Sequence, residues 1–313
     1  KEKRTERSKN EQVSHSRRRS FQPFLPDSRI FLGNQTRRRE SEEREKGMAP
    51  HGDGLSDIEK PELAQSEILR PISTVVFVIA MQAEALPLVN KFGLSETTDS
   101  PLGKGLPWVL YHGVHKDLRI NVVCPGRDAA LGIDSVGTVP ASLITFASIQ
   151  ALKPDIIINA GTCGGFKVKG ANIGDVFLVS DVVFHDRRIP IPMFDLYGVG
   201  LRQAFSTPNL LKELNLKIGR LSTGDSLDMS TQDESLIIAN DATLKDMEGA
   251  AVAYVADLLK IPVVFLKAVT DLVDGDKPTA EEFLQNLTVV TAALEETATK
   301  VINFVNGKNL SDL

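Results

Sequence analysis

Three acidic residues stand where a folded chain uses carboxylates for chemistry rather than for solvation. Glu84 closes the run Ala80-Met81-Gln82-Ala83-Glu84 after a first apolar segment. Glu248 lies in Asp246-Met247-Glu248-Gly249, where a helical pattern begins. Asp271 ends Ala268-Val269-Thr270-Asp271 after a last apolar run. Ligands of open α/β sheets sit at the carboxyl ends of strands. Carboxylates placed there suit acid–base work, one donating a proton and another activating a water. Each also has a plainer reading: a Glu at a helix start favours the helix dipole, and an Asp after a strand caps the next helix. Pattern alone therefore indicates a carboxylate-based hydrolase and nothing finer.

Other chemistries find less support. The cluster Gly161-Thr162-Cys163-Gly164-Gly165 lacks GxGxxG spacing and reads as close backbone approach or a tight turn. No GxSxG surrounds a serine, and no His is placed for a triad. Cys124 and Cys163 form no CxxC, and the five histidines make no HExxH, so no metal is implied. Two scattered cysteines suit a reducing compartment, and the cytoplasm is the expected location. The net charge of −5 conceals an asymmetry: residues 1–47 hold 14 Lys/Arg against 8 Asp/Glu, and the rest holds 22 against 33. An acidic body is a poor match for nucleic acid or anionic membrane, so neither is expected as a partner.

The elements that must position these carboxylates alternate along the chain. Apolar runs at 74–80, 119–124, 155–160, 176–183, 217–221 and 263–269 read as strands. A helix is expected after 126, with Val139, Leu143, Phe146, Ile149 and Leu152 as its core stripe and Pro154 as its stop. A second helix begins near Met247. A third runs over 279–305, started by a capping box of Thr279 with Glu282. Alternating strands and helices predict a single α/β domain with a mixed, largely parallel sheet. Residues 1–47, with Arg17-Arg18-Arg19, Arg37-Arg38-Arg39 and no apolar period, are expected to be a disordered basic tail outside the natural protein. Residues 48–72 read as a flexible leader, 73–307 as the catalytic body and 308–313 as a C-terminal tail.

Six segments together are more specific than any one. They are the turn 80–84, the run 153–165, Val179-Ser180-Asp181, Thr223-Gly224-Asp225, 246–251 and 268–271. In this order, spanning about 73–306, they resemble the methylthioadenosine/S-adenosylhomocysteine nucleosidases of the nucleoside phosphorylase superfamily, most closely the plant branch. The resemblance implies a three-layer α/β/α fold with a central twisted sheet. Bacterial members carry Ser where this chain has Thr162 and Glu where it has Asp246. They are apolar and aromatic where it has Ser226-Leu227-Asp228, so contact with the base there is expected through the backbone.

The resemblance also implies roles. Asp271 would protonate adenine N7, Glu84 would activate the attacking water, and Glu248 would bind the ribose hydroxyls. Met247 would pack on the ribose, with Thr162 and the backbone of Lys245 and Asp246 lining that end. Leu227 and Asp228 would offer main-chain groups to adenine. The segment 190–197, with Phe194, would reach a neighbour's site in a homodimer. No cofactor is implied. The partner is a small nucleoside, 5′-methylthioadenosine first, with S-adenosylhomocysteine left open. Two rivals stand beside this reading: a phosphorolytic relative, for which Arg127 is the spare cation, and a non-catalytic nucleoside-binding or storage protein on the same fold.

Overall fold

The computed structural model describes residues 68–313. The expectations for 1–47 and for most of 48–72 lie outside the described residues. The sheet is built from β1 (Thr74–Val78), β2 (Ser95–Glu96), β3 (Val109–His115), β4 (Leu118–Cys124), β5 (Ile156–Gly165), β6 (Val176–Phe184), β7 (Arg202–Gln203), β8 (Lys217–Thr223), β9 (Leu244–Asp246) and β10 (Val263–Leu272). The helices are α1 (Gln82–Phe92), α2 (Thr138–Leu152), α3 (Phe194–Val199), α4 (Pro208–Leu214), α5 (Thr231–Ala239), α6 (Gly249–Leu258) and α7 (Thr279–Val305).

Alternation along the strands explains the layers. Successive side chains of a strand point to opposite faces. Val75 and Phe77 of β1 join one core with α1 and α7, through Leu88, Leu294 and Val301. Val76 and Val78 join the other, with Ile144 of α2 and Val252 of α6. Both faces are therefore covered, which is why these strands read as unbroken apolar runs. The result is the three-layer α/β/α arrangement around a mixed sheet.

The strand order runs β2-β3-β4-β1-β5, and β5 then pairs with β10. From β10 the sheet continues through β6, β8 and β9 and returns to β5, closing a ring. Centrally, β4, β1, β5 and β10 run parallel. Strand β5 is the hinge of this plan. Its first half pairs with β1, from Ile156 to Asn159, while its last two residues pair with β9. It runs straight through the glycine cluster, where the sequence suggested an end or a turn.

Other expectations are corrected. Val139, Leu143 and Phe146 of α2 face outward, at 65%, 54% and 49% exposure, while Ala141, Ile144, Thr145, Ser148 and Ile149 are its buried face. Of the stripe read from spacing, Ile149 is buried and Leu152 packs on the core, while its first three members lie on the outer side, because apolar residues occur on both sides of this helix. The capping box at α7 does not form: Pro278 stands at the cap position, and buried Glu282 accepts the Leu272 N–H at 3.0 Å. Residues 308–313 pack on the body, with Leu310 and Leu313 buried and the Ile72 N–H donating to the Lys308 carbonyl. Among the described residues no helix is long and apolar enough to cross a membrane.

One carboxylate staples the start of the sheet. Asp155, in the turn between α2 and β5, accepts the amides of Ser73 and Thr74 at 2.7 and 2.9 Å, the Ser73 hydroxyl, and the Arg70 guanidinium. Burial pushes its carboxyl up, but these donors outweigh burial and hold it below its ordinary value. A carboxyl depressed in the fold contributes stability above its unfolded pKa of about 3.9 and loses it as pH falls through the folded value. Asp155→Ala should lower the unfolding free energy in urea at pH 7 by about 1–3 kcal/mol, because the buried Thr74 amide and the half-buried Ser73 amide lose their acceptor. The gap to the wild type should narrow below about pH 4.

Candidate active site

The topology gathers what the chain separates. Glu84 follows β1, Asp271 is the penultimate residue of β10, and Glu248 follows β9; all three strands border β5, β1 along its first half, β9 at its end and β10 along most of its length. The three carboxylates line one cavity of about 240 Å³. Thr162, Leu227 and the run 245–248 line it too; Asp228 and Phe194 do not line it in this chain. Glycine at 164 is required by close approach: a Cβ there would stand 2.8 Å from Asp271 Oδ2 and 2.6 Å from the Val273 side chain.

Glu84 is buried in the first turn of α1 and held by three donors. The Thr162 amide and hydroxyl reach Oε1 at 2.7 and 2.6 Å, and the Met81 amide reaches Oε2 at 3.2 Å. Thr162 thus orients a carboxylate, a more definite task than lining a wall. Asp271 is 2% exposed. Its Oδ1 accepts the Thr270 hydroxyl at 2.8 Å, and its buried Oδ2 has no hydrogen-bond partner among the described residues. Burial raises its pKa, and the Thr270 bond and the Lys245 charge only partly oppose this. An unpartnered oxygen on an acid inclined to keep its proton is a donor waiting for an acceptor.

Glu248 sits at the N-cap position of α6 and accepts the Gly137 amide on Oε1 at 2.9 Å. Its pKa is pushed up to about 7, first by burial and then by the Asp246 carboxylate, against the pull of Lys267 and the Gly137 amide. The Asp246 carboxylate is engaged by protein groups. It accepts the Thr223 hydroxyl at 2.6 Å and the Gly249 amide at 2.8 Å, which fastens the start of α6. The Lys245 ammonium donates to the carbonyls of Ser226 and Leu227 at 2.6 and 3.1 Å, so its side chain holds the loop that forms one wall. Met247 and Leu227, with Phe283 and Val273, make that cavity largely apolar, as small-molecule sites are.

Two participants escaped the sequence reading. Gly137 gave no signal, since a backbone amide leaves none. Lys267 did leave one: a lysine inside the apolar run of β10 needs a buried partner. It is 1% exposed and pairs with Asp246 Oδ2 at 2.8 Å. Burial depresses its pKa, but the Asp246 and Glu248 carboxylates outweigh burial and raise it. Lys267 is the cation that lets these carboxylates be buried together. Lys267→Met should therefore destabilise the fold by about 3–5 kcal/mol, read as a lower urea midpoint at neutral pH; an unchanged midpoint would contradict this electrostatic account.

Residues 74–303 match the Phosphorylase superfamily model. The chain is 97% identical over 267 residues, 85% of its length and 100% of the relative, to an Arabidopsis thaliana 5′-methylthioadenosine nucleosidase. It is 65% identical over 78% of its length and 96% of the relative to an Arabidopsis thaliana 5′-methylthioadenosine/S-adenosylhomocysteine nucleosidase. The solved apo structure of an Arabidopsis thaliana 5′-methylthioadenosine nucleosidase superposes with a TM-score of 0.78 at 98% identity, covering 78% of this chain and all of that one. With its carboxylates gathered around β5 and its sequence aligned across the whole α/β body, the chain belongs to the phosphorylase superfamily, in the branch of the 5′-methylthioadenosine nucleosidases.

Proposed function

We propose that this chain hydrolyses the N-glycosidic bond of 5′-methylthioadenosine to adenine and 5-methylthioribose, a step of methionine salvage. The observation that carries this reading is the sharing of one cavity by Glu84, Glu248 and Asp271, with Asp271 Oδ2 unpartnered among the described residues. The substrate comes from the relatives, whose names specify 5′-methylthioadenosine. S-adenosylhomocysteine, in the name of the second relative, is the second substrate to assay.

Bond cleavage needs a neutralised leaving base and a water delivered to a cation-like sugar, as in glycoside hydrolysis by carboxyl pairs. Asp271 donates the proton to adenine N7. A carboxylic acid that stays protonated at neutral pH needs its pKa raised by roughly 3, about 4 kcal/mol. Its burial acts in that direction. Glu84, oriented by Thr162, takes the proton of the attacking water. Glu248, ionised, accepts the ribose hydroxyls, and its charge favours the oxocarbenium-like transition state. Met247 packs on the sugar, and the main chain at Leu227 meets the base.

Water rather than phosphate is the nucleophile in this reading. Among the described residues no arginine lines the cavity. Its lysine, Lys245, is engaged with two carbonyls, and Lys267 behind it with Asp246. Arg127 pairs with Asp134 at 3.6 Å outside the cavity. A phosphate would meet carboxylates without a free cation to hold it. Adenine release should therefore proceed in phosphate-free buffer at the same rate as in phosphate. Asp271→Asn should lower kcat by about 10²–10⁴ with little change in KM, because it removes the proton donor and keeps the shape. Phosphate dependence would favour phosphorolysis, and full activity of Asp271→Asn would remove the acid from the mechanism.

A homodimer in the cytoplasm completes the proposal. The outward face of α2 offers Val139, Leu143 and Phe146, and the segment around α3 offers Ile191, Met193, Phe194, Leu196 and Tyr197, all exposed. Apolar area of this extent favours cover by a second copy. The buried free thiols of Cys124 and Cys163 suit a reducing compartment. Phe194 lies outside this chain's own cavity, so its proposed place is the neighbour's 5′-thio pocket. Phe194→Ala should raise KM for 5′-methylthioadenosine more than it lowers kcat; an unchanged KM would remove this loop from the site.

A further inference from the structure

The residue that follows the Gly137 amide holding Glu248 is itself held by a residue outside the cavity lining. Asp225, next to the loop that walls the base end, accepts the Thr138 amide on Oδ1 and the Thr138 hydroxyl on Oδ2, both at 2.6 Å. Its own amide donates to Asp186 Oδ2 at 2.8 Å. Thr138 is the first residue of α2, and Gly137 immediately precedes it. Gly137 has φ +102°, and a Cβ there would stand 2.6 Å from Asp225 Oδ1. Only glycine allows Asp225 to approach so closely and still turns its amide onto Glu248. On the other side, Lys245 fastens the carbonyls of Ser226 and Leu227. The stretch 225–227 is thus anchored from both ends.

We propose that Asp225 is a positioning residue that joins the base-binding wall to the ribose-binding carboxylate: by fixing Thr138 it aims the Gly137 amide at Glu248, so that the two ends of the nucleoside meet one connected unit. The inference rests on the reading of Glu248 as the ribose acceptor. It assigns work to the aspartate of Thr223-Gly224-Asp225, which the sequence resemblance marked without a role.

The test is the pH profile of kcat/KM for adenine release. The groups that face Glu248 are the Asp246 carboxylate from β9, the Lys267 ammonium from β10, the Glu84 carboxylate from α1 and the Gly137 amide. Three of these are untouched by substitution at 225. Loss of the amide stabilises the protonated form of Glu248, so the acid limb should move up. Loss of the Asp225 negative charge by itself would move it down, so the direction separates positioning from simple electrostatics. Asp225→Ala is expected to lower kcat/KM about tenfold and to raise the acid limb by about half a pH unit. Asp225→Asn should stay near the wild type, because its amide oxygen still accepts the Thr138 N–H and the hydroxyl can turn to accept the side-chain N–H.

An acid limb in Asp225→Ala that is unmoved, or moved down, overturns the proposal. Should Asp225→Ala fail to fold, Thr138→Val decides. It loses only the hydroxyl bond, and a smaller upward move is expected, whereas a limb at the wild-type position overturns the link. Wild-type protein measured alongside keeps the two levels apart. No adenine release from the wild type would sink the nucleosidase reading, whereas normal wild-type turnover with an unresponsive limb sinks only the role of Asp225.

Discussion

The site depends on one buried ion pair. Glu84, Asp246 and Glu248 are brought within electrostatic reach of each other inside a largely apolar shell, and unpaired charges in such a shell cost several kcal/mol each. Lys267, from the middle of β10, supplies the opposing charge through Asp246. Asp246 in turn binds Thr223 and the first amide of α6, so the same carboxylate that satisfies the lysine also fastens the helix whose N-cap is Glu248. Charge balance and geometry are set by a single cluster. Asp271 stands apart from it, bonded to the Thr270 hydroxyl, and burial raises its pKa.

Strand β5 makes that cluster possible. It pairs with β1 at its start and with β9 at its end, and β10 accompanies it throughout. Loops from three distant parts of the chain are therefore delivered to one place. The glycines at the end of β5 serve this crowding. At 164 the absence of a side chain leaves room for Asp271, and at 165 it leaves room for Ala171 and Val269.

Helix α2 carries two kinds of information at once. Its inner face packs Ile144 and Ile149 on the sheet, while its outer face presents Val139, Leu143 and Phe146. A helix apolar on both sides is under-determined by periodicity, since either stripe satisfies the spacing of a core-facing helix. Small and hydroxylated residues, Ala141, Thr145 and Ser148, are what let its inner face approach α6 and the sheet. The Thr145 and Ser148 hydroxyls are satisfied by donating to the carbonyls of Ala141 and Ile144, four residues back, which makes them acceptable in a core.

The amino-acid sequence determined by itself the α/β alternation and the long helix over 279–305, and it marked Glu84, Glu248 and Asp271 as candidates, because apolar runs and strand-end acids are local signals. It also carried the hint of Lys267, a charge inside an apolar strand. Only the tertiary structure decided which face of α2 is inner, that the glycine cluster is strand rather than turn, that Glu282 binds Leu272 instead of capping, and that Asp246 and Lys245 hold neighbouring segments in place. Those outcomes depend on partners more than a helix turn away in sequence, and on backbone amides such as that of Gly137 that no residue type announces. Hydrogen bonds between distant segments are set by the sheet order, and the closure of the sheet through β10, β6, β8 and β9 has no local signature in the chain.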